Sequence, residues 1–185
     1  MTTALYPSGI VTFVFTDVEG STTLRSHHPT TFQPVLDRHN CLLHELVEEH
    51  AGFVIGARGD GFLLSFAHAL DAVQFAVQFQ LALTRREADW YIPPDPAHGT
   101  ASTGQLRVRI GMHTGEAHLH RLPTGVVDYH GSAVDRAARV AEAGHGGQIV
   151  VSEATFRLVE RQLPDPHPLQ ASWHPSFKRL RGRAV

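Results

Sequence analysis

A chain of 185 residues, 42% of them hydrophobic, is sized for one domain with its own core, and 16 Lys+Arg against 18 Asp+Glu leave a formal charge of −2. That balance gives no basic field to draw nucleic acid or an anionic membrane, and the apolar runs at 10–15 and 61–66 fall far short of the roughly 20 residues a membrane span needs. The single cysteine, Cys41, excludes an internal disulfide, and Met1 to Gly9 lacks the basic-then-apolar layout of a secretory signal, so a cytoplasmic protein is expected.

Residues 1–9 read as an N-terminal tail. The run IVTFVFT at 10–16 is β-branched and aromatic, is bounded by Gly9 and the DVEGS cluster, and predicts a buried strand. Phe32, Val35, Leu36, Leu42, Leu43, Leu46 and Val47 recur at three- and four-residue spacing, which predicts an amphipathic helix over 31–50 that ends near Gly52. Extended segments at 53–55 and 61–66 face each other across GARGDG, where Gly-Asp-Gly supplies hairpin-turn chemistry. A second helix is expected over 69–83, then a loop rich in proline over 88–104 and a strand over 106–113. A hairpin arm over 118–129 turning at Pro123 and Gly125, a helix over 132–143 and a strand over 148–151 complete a domain at 10–163. The proline- and histidine-rich extension at 164–185 could hold a last strand. The order is β-α-β-β-α-β with a further αβ unit, an α/β (α+β) chain on the ferredoxin-like plan.

Strand one ends in Asp17 and passes into Glu19-Gly20-Ser21-Thr22, so a carboxylate is followed by backbone N–H groups at the start of a helical segment. Such an edge can hold a metal and a polyphosphate together, with Gly20, Ser21 and Thr22 on the phosphates. In a ferredoxin-like sheet the hairpin bearing Asp60 lies beside strand one. Asp17 and Asp60, with the carbonyl of Val18, would then form a hard-oxygen site suited to Mg²⁺ or Mn²⁺. Each feature alone has an ordinary reading, Gly-Asp-Gly as a tight turn and a strand-terminal Asp as a cap. Glu19 reads as a cap for the following helix, with a water-bridged metal contact as the other option. The histidine pairs His27/His28 and His118/His120 lack the partners that tetrahedral zinc requires.

Taken in order, VTFVFTDVEGSTTL, RGDGFLLSF, LRVRIGMHTGEA and DYHGSAVDRAARVAEAGHGGQIVVS resemble the class III adenylate and guanylate cyclase catalytic domain from about residue 10 to 159. The resemblance is strongest to the bacterial branch that reads FTDIEGST near its start and HGGQ before its last core strand. It implies a phosphorus–oxygen lyase that turns a nucleoside triphosphate, ATP foremost, into a 3′,5′-cyclic nucleotide and pyrophosphate. Carried over by motif, Asp17, Asp60 and the Val18 carbonyl hold two Mg²⁺ or Mn²⁺ ions per site. Arg109 contacts phosphate through its planar fork, and Arg139 stabilises charge developing on the α-phosphate. The resemblance also implies a head-to-tail homodimer, in which the metal carboxylates come from one subunit and the base and transition-state residues from the other.

Three positions depart from that pattern. Gly56 stands where the family places an adenine-recognising lysine, while Asp128 fills the matching aspartate position; Arg58, two residues along the strand from Gly56, is a substitute donor. Asp135 replaces an asparagine that donates to ribose, and an ionised aspartate has no donor. About 4 Å from a phosphate oxygen it would repel by about 4 kcal/mol at an effective dielectric of 20. The family's late basic residue for the terminal phosphates aligns with FKRLRGR, where Lys178, Arg179 and Arg181 compete and Lys178 is preferred. Two alternatives therefore stand beside an ATP-using cyclase: one with altered base specificity, for GTP or a pyrimidine nucleotide, and a nucleotide-binding or regulatory module with weak or no turnover. An interaction domain without a ligand would leave the paired aspartates unexplained.

Overall fold

A computed structural model describes residues 6–85, 87–99, 103–121, 127–163 and 176–180. Its elements in chain order are β1 (Gly9–Val18), α1 (Ser21–His27), α2 (Phe32–Glu49), β2 (Phe53–Arg58), β3 (Gly61–Phe66), α3 (Ala69–Arg85), β4 (Tyr91–Ile92) and β5 (Gly104–Gln105). They continue with β6 (Val108–Arg121), β7 (Val127–His130), α4 (Ser132–Glu142), β8 (Gln148–Ser152), α5 (Glu153–Val159) and β9 (Ser176–Leu180). The main sheet runs β2-β3-β1-β6-β8-β9, with β7 paired to β6. The four strands β2, β3, β1 and β6 are antiparallel throughout, and with α2 and α3 they form the ferredoxin-like unit. β8 and β9 extend the sheet in parallel register, Ile110 opposite Ile149 and Val150 opposite Lys178.

Period-two alternation in β1 assigns its two faces. Val14 and Val18 point into the larger core with Phe32, Leu43, Leu64, Phe66, Phe75, Phe79, Ile110 and Met112, where α2, α3 and α5 pack. Val11 and Phe13 point the other way, into a smaller core closed by α4 and Tyr129. The Tyr129 ring meets Phe13 edge-on at 5.0 Å, and its hydroxyl donates to the Pro7 carbonyl.

The sequence reading of a strand at 106–113 and a separate arm at 118–129 gives way to one 14-residue strand, β6, that continues through Thr114 and Gly115. Its small residues are packing choices and not breaks. A Cβ added at Gly111 would lie 2.2 Å from the Cα and N of Ala141, and one at Gly115 would lie 3.1 Å from the Cβ of Ala133. Helix α4 therefore rests almost directly on the backbone of β6, burying Ala133, Ala137, Val140 and Ala141. The segment read as a loop at 88–104 contains the short β4–β5 ladder, seated by Trp90, whose indole N–H donates to the Ala82 carbonyl at 3.1 Å. The expected turn at Pro123 and Gly125 lies outside the described residues. Among the described residues no helix is long and apolar enough to cross a membrane, and Cys41 is free and exposed.

A chain of hydroxyls joins the sheet to α5. Thr12 and Thr114 share a hydrogen bond of 2.8 Å, Thr114 and Thr155 one of 3.0 Å, Thr155 and Ser152 one of 3.1 Å, and Ser152 meets Nδ1 of His113 at 2.8 Å. Burial, helped by the nearby Arg136 charge, pushes the His113 imidazole down to about 4 from 6.5.

Two outcomes follow for stability. Gly111→Ala should cost about 3 kcal/mol in chemical denaturation, and Gly115→Ala clearly less, because the first side chain meets backbone and the second a methyl group that can give way. Equal costs would contradict this packing. Because the folded His113 value lies below the unfolded one, the unfolded chain takes up the proton first, and stability should fall as pH drops from 6.5 towards 4. The loss amounts to up to about 3 kcal/mol. His113→Gln should flatten that limb of a stability-against-pH curve; an unchanged limb would assign it to other groups.

Candidate active site

The β1–β6 register sets Asp17 directly opposite Arg109 at the end of both strands. Asp17 shares the parity of Val11 and Phe13, so it lies on the α4 side of the sheet. Arg109 donates from Nε to Oδ2 of Asp17 at 2.8 Å, and its Nη2 approaches the same oxygen at 2.6 Å. Asp60 arrives from the next connection. The hairpin between β2 and β3 closes tightly, with Arg58 opposite Gly61 and Gly59 at φ 67°, a backbone conformation that glycine takes without strain. β2 thus runs past the expected 53–55 to Arg58, and only Gly59 and Asp60 form the turn. Oδ2 of Asp60 accepts from the Val18 N–H at 3.2 Å, which ties this turn to the end of β1.

Asp17, Val18, Asp60 and Arg109 are therefore brought together, with Gly20, Ser21 and Thr22 following at once. Gly20 precedes α1, no side chain caps that helix, and Ser21 and Thr22 open it. Two carboxylates beside a backbone carbonyl, with an arginine supplying the positive charge they attract, form a donor set that fits Mg²⁺ or Mn²⁺. Oδ1 of Asp17 and Oδ1 of Asp60 make no hydrogen bond to any described residue.

Glu19 does not cap α1. Its Oε1 accepts from the Gly146 N–H at 2.9 Å, while its own N–H donates to the Arg107 carbonyl at 2.8 Å. A Cβ at Gly146 would lie 2.5 Å from Oε2 of Glu19. The HGGQ segment is thus a loop pressed against the end of β1, with Gly147 donating to the Val108 carbonyl and the Gln148 side chain accepting from the His145 N–H. Glycines in tandem after a helix were the available signal for this contact, but their partner could not be read from spacing.

The other expected site residues lie elsewhere in the protomer. Asp128 is opposite His120 on the β6–β7 ribbon, eleven positions along β6 from Arg109, or roughly 35 Å of strand contour. It accepts from its neighbour Tyr129 N–H at 2.8 Å and stands 3.8 Å from the His130 ring nitrogen. Asp135 and Arg139 sit on the exposed face of α4, turned away from the buried alanines, and neither makes a hydrogen bond or ion pair with a described residue. Gly56 follows a bulge in β2 and has open space where a side chain would begin. Lys178 pairs in β9, but its side chain and that of Arg58 lie outside what is described, as does Arg181. His28 is occupied structurally, its Nδ1 3.1 Å from the Pro93 carbonyl, and no three His, Cys, Asp or Glu side chains gather as a metal site among the described residues.

Residues 4–168 match the family model of the adenylate and guanylate cyclase catalytic domain. An adenylate cyclase of Podospora anserina is 32% identical over 165 residues, covering 85% of this chain and 8% of that protein. A receptor-type adenylate cyclase of Trypanosoma congolense is 31% identical over 189 residues, covering 86% of this chain and 25% of that protein. The chain thus spans a quarter or less of these relatives. Among solved structures, an adenylate cyclase of Trypanosoma brucei in its monomeric state superposes with a TM-score of 0.68 at 30% identity, over 82% of this chain and 76% of that one. The monomeric guanylyl cyclase domain of the RhoGC fusion protein from Blastocladiella emersonii shares the fold, with a TM-score of 0.69 at 20% identity over 83% of this chain and 86% of that one. On this match of sequence and fold, the chain belongs to the adenylate and guanylate cyclase catalytic domain family.

Proposed function

We propose that this chain is a nucleotidyl cyclase that works as a head-to-tail homodimer in the cytoplasm, converting a nucleoside triphosphate, ATP foremost, to a 3′,5′-cyclic nucleotide and pyrophosphate. The observation that carries the reading is a division of labour. Asp17, Asp60 and Arg109 gather at one sheet edge. Asp128 lies at the far end of β6, and Asp135 and Arg139 face solvent without partners among the described residues. One protomer holds two half-sites, and a two-fold pairing would complete both.

Bound Mg²⁺ or Mn²⁺ would supply Lewis acidity to the ribose 3′-hydroxyl and charge neutralisation to the phosphates. The protein's own share is positioning and charge. Asp60, anchored to the Val18 N–H, and Asp17 offer the negative edge, and the N–H groups of Ser21 and Thr22 with the Arg109 fork would meet the phosphate oxygens. Arg139 of the partner subunit would stabilise charge on the α-phosphate, and Asp128 of the partner subunit would read the base. Open space at Gly56 removes one base contact, which favours a relaxed or altered choice of base.

A second reading rests on Asp135. It is exposed and forms no ion pair with a described residue, so a carboxylate with no donor stands where the family's asparagine donates. The domain would then bind metal and triphosphate with little turnover.

Purified protein incubated with Mn²⁺ and, separately, ATP, GTP, CTP and UTP should yield a cyclic product by mass spectrometry. Asp17→Ala should yield none, and specific activity should rise with protein concentration. Metal-dependent triphosphate binding with no product in any tube would select the second reading.

A further inference from the structure

The two carboxylates of the metal edge are held in different ways. Asp60 spends Oδ2 on a backbone N–H and makes no ion pair among the described residues. Asp17 is capped by a cation of the protein's own, both Nε and Nη2 of Arg109 converging on one oxygen. The pairing is built in by register, since Asp17 and Arg109 are direct cross-strand partners on one face of the sheet. It is also accessible, the two side chains being 33% and 38% exposed, so water can replace either partner when they separate.

We infer that Arg109 serves as an internal counter-ion for Asp17, competing with the divalent cation for Oδ2 in the free protein and passing to the triphosphate when the metal edge fills. This rests on the proposed metal role of Asp17 and adds to it an exchange of partners. Oδ2 has two lone pairs, but Nε and Nη2 of Arg109 both crowd it, so a cation that takes Oδ2 displaces the arginine, and one confined to Oδ1 binds against its charge. Once released, Arg109 keeps its place opposite Asp17, four residues before α1 begins, and its fork of N–H donors suits phosphate oxygens. Metal and triphosphate are thereby coupled through one side chain, beyond their direct contact with each other: each removes an obstacle to the other.

The test is Mn²⁺ binding to the full chain without nucleotide, followed by the electron paramagnetic resonance of free Mn²⁺. Removing a unit positive charge within a few ångströms of a divalent ion should tighten binding about tenfold in Arg109→Gln, while Arg109→Lys, which keeps the charge, should stay closer to the parent. Adding inorganic triphosphate should strengthen Mn²⁺ binding more in the parent than in Arg109→Gln. Binding by Arg109→Gln that is equal to or weaker than the parent's, with Asp17→Ala still abolishing it, would overturn the exchange and leave the metal reading intact. A parent that binds no Mn²⁺ would overturn both. Should the variant fail to fold, the Nε–H resonance of Arg109 in the parent decides between the same outcomes. It should shift and exchange faster with solvent as Mg²⁺ is added, and an unmoved resonance at saturation would sink the proposal.

Discussion

The antiparallel ladder between β1 and β6 governs the rest of the molecule. It runs from Gly9 opposite Ala117 to Val18 opposite Val108 and sits at the centre of the sheet. Its alternation sends Val14 and Met112 into one core and Phe13 into the other. The same register delivers Asp17 and Arg109 to each other at its end. A slip of one residue would exchange the two faces, emptying both cores and separating the ion pair at once. Fold and site therefore share one constraint, and neither can drift without the other.

Much of this was legible in the sequence because its signals were local. The strand at 10–16, the helix over 31–50 and the Gly-Asp-Gly hairpin each declare themselves through periodicity or turn chemistry, and all three are present, the first strand of the hairpin longer than expected. Family motifs then named Asp17, Asp60 and Arg109 as a group, and their convergence needed only the ferredoxin-like order of strands. What failed were inferences that depended on long-range contact. Residues 114–117 read as a gap between two separate strands because Ala133 of the helix, which rests on Gly115, is invisible to a local window. Glu19 read as a cap because helix starts usually follow such residues, whereas its partner, the Gly146 N–H, lies 127 residues away in the chain. The Asp17–Arg109 pair is likewise a fact of register, and motif spacing alone assigned the two residues to different ligands.

The turn of the β2–β3 hairpin and the loop after α4 also converge on the end of β1. Asp60 holds the first through the Val18 N–H, and Glu19 holds the second through the Gly146 N–H. Each contact is a carboxylate accepting from a main-chain N–H, a charge-assisted hydrogen bond. Asp17, the third acid of the DVEG stretch and its hairpin partner, is bound by a side chain, and so it alone has a partner that can leave without disturbing the backbone.

The seating of α4 carries a mechanical meaning. Most helices rest on a cushion of branched side chains, whose rotamers absorb small movements of the layer beneath. Here the alanines of α4 meet glycine main chain with no such compliant layer, Ala141 on Gly111 and Ala133 near Gly115. The distance from Arg139 and Asp135 on the outer face of the helix to the strand below is consequently a fixed gauge. Whatever bends β6 must carry the outer face of α4 with it, undamped, so that a strain applied to the sheet is read out at the surface that the proposed dimer would use.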